Sequence, residues 1–455
     1  MLINKKPFNQ FRTVFIRAGF FIICMGSYDS PSALTNGNEA SYPKDDTNIE
    51  ITIAYPYERL FKTVLEDKIA PEFMAAHPNI RITFELPYTS YEEGADRIVK
   101  QAGTNELPDV SFQGINQQRS LITRKLVAPL DKFISRDKGW QSHGVNPGMI
   151  EICRFNNQLY GLPFAISTPV IYYNADLVRK AGGDPDDFPT DWEGILKLGS
   201  KIDALGSDIY GLFFNYEITG SWMFQALIFS KGGELMSPDE KKVAFTGERG
   251  RWAMRLIDRM VKEGGMPSVP TFRNFGRSNG TGTTISLHQG QLGLAAESSG
   301  SITYHLKEIG EKFELRAAVF PGVVSEIGRL PVGGSVAMMH AKDPRKQEAA
   351  WEFIRFVVSP RGQTLQVKHT GYMPSNFLAV RNSDLLGRYY GEHPLEQSAI
   401  DQILLAKRWY AFPGPNTLKI TKVIEKHIRS VVTQEVDPDT ALKELVDEVE
   451  GLLPK

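Results

Sequence analysis

A chain of 455 residues exceeds one compact core, since domains run to roughly 100–200 residues, so two large lobes are expected. Its 42% hydrophobic and 23% charged residues exclude wholesale disorder, and 52 basic against 53 acidic side chains, a net charge of −1, speak against a nucleic-acid partner. Only two cysteines, Cys24 and Cys153, exclude a disulfide framework or a thiolate zinc cluster and suit an exported bacterial protein.

Lys5, Lys6, Arg12 and Arg17 precede the apolar run Ala18–Met25, and Ser27, Ser30, Ser32 and Asn36 follow it. Basic, then apolar, then small and polar is the order of a secretory signal peptide, expected over residues 1–34. A flexible segment is expected over 35–48. The apolar run is well short of the ~20 residues that span a bilayer, so the chain is expected to be soluble in the periplasm.

Ile49–Tyr55 alternates as a strand, and Leu60, Phe61, Val64, Leu65, Ile69 and Phe73 recur at helical spacing. Pro78 ends that helix, and Ile80, Ile82, Phe84 and Leu86 alternate again. Strand, helix, strand at this spacing predicts a parallel sheet with a right-handed crossover. A helix over Tyr91–Ala102 and a strand over Asp109–Phe112 follow.

A second grouping opens near Leu162, with a strand at Val170–Tyr173. Helices are expected over Leu177–Ala181, Trp192–Leu205, Trp222–Phe229 and Arg251–Lys262. A loop is expected over Gly276–Gly282 and a buried strand over Leu292–Ala296. Asp343 and Pro344 suit the start of a helix running to Val358. Leu442, Leu445, Val446, Val449 and Leu452 form the apolar stripe of a last helix.

Catalytic motifs are weak. Gly276-Arg-Ser-Asn-Gly280 matches a serine-nucleophile pattern, but no strand enters it and no helix leaves it. Glu297, after a buried strand, suits the general acid of a secreted glycan-active hydrolase, the rival reading, yet no partner carboxylate is identified. The eight histidines show no metal-ligand spacing, Asp184–Asp187 reads as a turn, and no phosphate loop or dinucleotide fingerprint occurs. No catalytic residue, metal or cofactor is expected.

Polar and aromatic residues instead gather at expected strand ends: Tyr91, Gln113–Asn116, Ser167–Thr168, Ser298–Ser299, Gly333–Gly334 and Gly371–Pro374. Aromatic faces stack on sugars and polyols while hydroxyls and backbone amides bind their oxygens. Open α/β sheets bind ligands beyond the carboxyl ends of their strands.

Leu162–Asp176, with Lys180–Asp184 and Pro189–Glu193 behind it, resembles family 1 extracellular solute-binding proteins of bacterial ABC importers. Gly290–Ala296, Ser298–Ile302, Gly333–Val336 and Thr370–Pro374 fall in the family's order. Among its members the chain looks most like the glycerol-3-phosphate-binding proteins. That resemblance implies ligand contacts at Tyr91, Ser167, Ser299, Gly334 and Tyr372. Where the family has an acidic contact, Asn116 is the nearest polar residue; Ala411–Asn416 stands where an arginine is expected. An arginine fork favours phosphate, so a neutral sugar stays as open as a glycerol phosphate.

The resemblance further implies an α/β, two-lobe periplasmic binding protein fold (class II-like) whose hinge is crossed three times. The crossings are expected near Ala165–Pro169, Ala296–Ser299 and Met338–Lys342. Lobe I would hold 49–166 and 299–338, and lobe II 167–298 and 339–455. The implied function is solute capture and delivery, by a monomer, to ABC permease and ATPase subunits, without catalysis.

Overall fold

The computed structural model describes residues 48–218, 221–268 and 287–454. The expected signal peptide, nearly all of the segment after it, Cys24 and the Gly276–Gly282 loop lie outside these residues. Among the described residues, no helix is long and apolar enough to cross a membrane.

The alternation of Ile49–Ala54 makes strand β1, with Ile51 and Ile53 fully buried. It pairs in parallel with β2 (Ile80–Phe84), Ile49 opposite Ile80, and with β3 (Val110–Gly114). The connection is helical from Glu58 to Ala76, with a π-helical stretch at Thr63–Ile69, and stops at His77 before Pro78. A small hairpin, β4 (Arg154–Phe155) with β5 (Gln158–Leu159), precedes β6 (Leu162–Ser167).

The second sheet contains β7 (Pro169–Asn174), β8 (Tyr210–Phe214), β9 (Leu292–Ser298) and β10 (Leu315–Val319), in the order β10-β7-β9-β8. Strand β7 is antiparallel to β9 and β10, whereas β8 and β9 run parallel. Strand β11 (Leu330–Met339) then returns to the first sheet, antiparallel to both β3 and β6. Its first three residues pair in parallel with β12 (Ala406–Arg408).

All ten residues of β11 are buried. A strand covered on both faces reads as a near-continuous apolar run rather than an alternating one. The parallel expectation therefore holds for β1, β2 and β3 and fails at β11. Local βαβ spacing cannot fix the direction of a strand arriving from far along the chain.

The molecule is a two-lobed α/β protein, one sheet in each lobe. Thr168 alone separates β6 from β7, so the chain changes sheet within the expected Ala165–Pro169 crossing. The other two expected crossings are corrected. Strands β9 and β10, on either side of Ser299, share the second sheet. Just beyond Met339 the chain stays with the first sheet: Phe353, on the helix Pro344–Val357, lies edge-on to Phe73 and Phe112 at 5.3 and 6.3 Å, and only the later helix Pro394–Asp401 packs on the second sheet, Ser398 Oγ donating to the Ala317 carbonyl of β10 at 2.9 Å. The chain changes sheet instead between Val319 and Leu330, and after Arg408 it leaves the first sheet for helices packed on Glu248–Glu263.

It follows that Leu315–Val319 does not share a sheet with the rest of the expected lobe I, and Pro344–Val357 packs away from the expected lobe II. The segment Leu-Arg-Ala-Ala-Val carries too weak an alternation to announce a strand. Asp343 does cap its helix, accepting from the amides of Arg345 and Lys346, with Pro344 at the first position. Leu442, Leu445 and Val449 dock the last helix, Pro438–Glu450, against helices Glu248–Glu263 and Thr417–Val432.

His340, just past β11, ties three segments together. Its Nδ1 donates to the Leu126 carbonyl and its Nε2 accepts from Ser111 Oγ, each at 2.6 Å. Burial pushes its pKa down to about 4, against about 6.5 in an unfolded chain. Between those values the unfolded chain binds a proton that the folded chain does not, so stability falls as pH drops through that window. Thermal melts at neutral pH and near pH 5 are expected to show this loss, and His340→Gln to lessen it. An equally steep loss in the variant would contradict this role for His340.

Candidate ligand-binding site

Where the two sheets meet, a cavity of about 560 Å³ opens. Tyr57, Arg59, Tyr88 and Tyr91 reach it from segments after β1 and β2, and Ser167, Gly333 and Gly334 from β6 and β11. Glu297, Ser298, Gly300, Ser301 and Tyr304 reach it from β9 and the turn and helix beyond. Trp222, Tyr372 and Trp409 complete the aromatic lining.

Local chemistry places each group. Ser90 caps the helix Tyr91–Thr104 by accepting from the Glu93 amide at 3.1 Å, which sets Tyr91 at its first turn. Tyr57 meets Tyr91 edge-on at 5.1 Å. Gly371, at φ 75, ends the helix Pro360–Thr370 in the left-handed conformation that glycine favours and turns Tyr372 toward the cavity. Burial pushes the Tyr372 hydroxyl up to about 12, with the Tyr91 hydroxyl acting in the opposite direction.

Glycines keep the floor open. Gly334 has φ 110, and a Cβ there would meet the Ala165 carbonyl oxygen at 1.9 Å. A Cβ on Gly333 would press on Ser167 Oγ and the Trp222 indole, and one on Gly300 would meet the Tyr372 ring at 2.6 Å. Trp222 begins the fully buried helix Trp222–Ser230, and its ring centroid lies 6.2 Å from that of Trp409.

Of the six expected contact residues, Tyr91, Ser167, Gly334 and Tyr372 line this cavity. Ser299 does not: its Oγ accepts from the Thr168 amide at 3.1 Å, tying β9 to the β6–β7 junction. Its neighbours Ser298 and Gly300 line the cavity instead. Asn116 is buried outside the lining, close to the Cβ position of Gly114, as is the Tyr91 ring. Sequence reasoning missed Tyr57, Arg59, Trp222, Tyr304 and Trp409. Tyr57 and Arg59 do follow a strand end, which was a usable signal; the tryptophans carry no local mark.

The Arg59 guanidinium lies 3.6 Å above the centre of the Tyr304 ring, joining elements that pack on different sheets. Glu297 is buried and hydrogen-bonded: Ser301 Oγ donates to Oε1 at 3.0 Å, and His305 Nε2 lies 3.1 Å from Oε2. Burial alone would raise the Glu297 pKa, but His305 and Ser301 outweigh it and hold the carboxyl below its ordinary value. Behind His305, His288 Nε2 lies 2.9 Å from Nδ1, and burial together with His305 pushes His288 down to about 4.

A two-lobed α/β frame around an aromatic, hydroxyl-lined cavity defines a solute-binding protein. The description "Bacterial extracellular solute-binding protein" matches residues 68–384, and the chain belongs to that family. It is 24% identical over 396 residues to a binding protein of Brucella abortus, covering 86% of this chain and 90% of that one. It is 25% identical to the sn-glycerol-3-phosphate-binding periplasmic protein UgpB of Salmonella typhimurium, over 66% of this chain and 68% of that one.

Among solved structures it resembles UgpB from Mycobacterium tuberculosis in complex with glycerophosphocholine. The TM-score is 0.76 at 19% identity, covering 88% of this chain and 97% of that one. It also resembles the cyclic alpha-maltosyl-1,6-maltose binding protein of Arthrobacter globiformis. There the TM-score is 0.72 at 20% identity, covering 89% and 98%.

Gly334→Ala would force a side chain into the Ala165 carbonyl at a positive φ, and is expected to cost about 2 kcal/mol or more. Denaturant melts check this. A variant as stable as the parent would show that β11 can shift away from β6.

Proposed function

We propose that this protein is the substrate-binding component of an ABC importer, working in the periplasm after signal-directed export. It takes a carbohydrate or glycerol-phosphate-type solute into the cleft between its lobes and presents it to membrane permease subunits served by an ATPase. The observation that carries this reading is the cavity itself, whose aromatic and hydroxyl groups come from elements packed on both sheets. The relatives add support: one binds sn-glycerol 3-phosphate, and the solved structures include complexes or binders of glycerophosphocholine and a cyclic maltose-based sugar.

In this reading lobe I is built on the β11 sheet and lobe II on the β7 sheet, with the chain passing between them at Thr168, within 320–329, before Pro394 and on either side of β12. Tyr91, Ser167, Gly334 and Tyr372 touch solute, joined by Tyr57, Trp222, Tyr304 and Trp409. Ser299 and Asn116 hold the walls from behind. Solute bridges the lobes, displaces the water between them and draws the equilibrium toward the closed form.

Contacts already span the lobes. Arg59 stacks on Tyr304, and Arg119, on the helix after β3, pairs with Glu240, which also accepts from the Tyr410 hydroxyl at 2.7 Å. No bond is made or broken. The hydrolase reading loses its footing at Glu297, because a general acid needs a raised pKa and this carboxyl is lowered.

Calorimetry with sugars, polyols and glycerol phosphates is expected to show one saturable site and an unchanged solute. Turnover of a glycoside, or no binding in any of these classes together with no solute carried through native purification, would overturn the reading. Trp222→Ala is expected to weaken binding about tenfold or more, since the ring supplies the stacking face. Arg59→Ala is expected to speed solute release about two- to fivefold, the worth of an exposed cation–aromatic contact, as read by stopped-flow fluorescence.

A further inference from the structure

The buried carboxylate in the cavity wall has consequences for which solute fits. Glu297 sits near the end of β9, paired with Val170 across the β7 ladder, so its backbone is fixed by the sheet. An ionised carboxylate offers about four acceptor sites. Ser301 Oγ takes one oxygen and His305 Nε2 the other. His305 is itself held by His288 behind it and by the Tyr172 ring, which meets it edge-on at 4.8 Å. His305 Nε2–H donates to Glu297, and His305 Nδ1 and His288 Nε2 share the hydrogen bond behind it.

The remaining lone pairs of Glu297 belong to a residue that lines the cavity. They can be satisfied only by a donor. Among the described lining residues, the charged side chains are Glu58, Arg59 and Glu297, two carboxylates against one guanidinium, so the lining is net negative. A dianionic phosphate placed against Glu297 would meet like charge in a desolvated wall, which is costly. A sugar hydroxyl placed there donates a charge-assisted hydrogen bond.

We infer that Glu297 is a specificity-determining residue, selecting an uncharged polyhydroxylated solute, a carbohydrate, over glycerol 3-phosphate. The inference rests on the importer-component reading and narrows it to one of its two solute classes. His305 and His288 are positioning residues that fix the carboxylate without touching solute.

The test is calorimetry near neutral pH on the full exported chain, wild type and Glu297→Gln, against maltose, maltotriose, tagatose, glycerol 3-phosphate and glycerophosphocholine. Melting without ligand confirms that the variant folds, and Glu297→Ala serves if the glutamine variant does not. A neutral sugar is expected to bind the wild type about tenfold or more tightly than glycerol 3-phosphate, and the variant to lose about tenfold on the sugar alone. Glycerol 3-phosphate or glycerophosphocholine binding tightest, or a substitution that leaves the ratio unchanged, would overturn the inference while leaving the importer reading intact.

If none of these probes binds, mass spectrometry of solute carried through native purification decides. A neutral saccharide supports the inference and a phosphorylated solute overturns it. A wild type that binds no probe and carries nothing defeats the importer reading, and this inference with it.

Discussion

The structure depends on one strand being paired on both sides. Strand β11 lies antiparallel between β3 and β6 and reaches β12 at its start, with every residue buried. In such a place the backbone amides and carbonyls must find partners in the ladder, because no water is available to them. That requirement fixes where β6 ends, and so where the chain crosses at Thr168 to begin the second sheet. The same strand carries Gly333 and Gly334, whose missing side chains leave room for Ser167, Trp222 and the Ala165 carbonyl at the cavity floor. Fold and site therefore share a single constraint.

The cavity combines two kinds of surface. Aromatic rings supply broad apolar faces without strong directional demands, which suits reversible capture of a solute. Glu297 supplies the opposite: a charged acceptor immobilised by Ser301, His305 and the β9 ladder. Burial by itself would favour the neutral acid, but the imidazole and hydroxyl donors reverse the balance and keep the anion. A family assignment alone does not reveal that balance, because it arises from side chains meeting across β9 and the helix Ile302–Ile309.

Local sequence carried much of the architecture. The alternation from Ile49 and from Ile80, the Pro78 stop and the Asp343–Pro344 start each act within a few residues, and each stands where the pattern puts it except Leu86, which lies exposed beyond the end of β2. Motif likeness placed Tyr91, Ser167, Gly334 and Tyr372 around one cavity, though it set Ser299 and Asn116 there too, and both stand behind the walls. Trp222, Tyr304 and Trp409 were hidden for the reason that β10 was: their importance lies in neighbours far along the chain.

By itself, then, the sequence determined what short-range periodicity, capping and turn chemistry can specify: the elements, the α/β class and a family likeness. Tertiary structure alone decided the direction of β11, the sheet to which Leu315–Val319 belongs, and the charge of the cavity wall. These depend on contacts between residues more than a hundred positions apart, such as Thr168 with Ser299, or on burial that no single segment encodes. A side chain's neighbours set its desolvation and its hydrogen-bond partners, and those neighbours exist only once the chain has closed on itself.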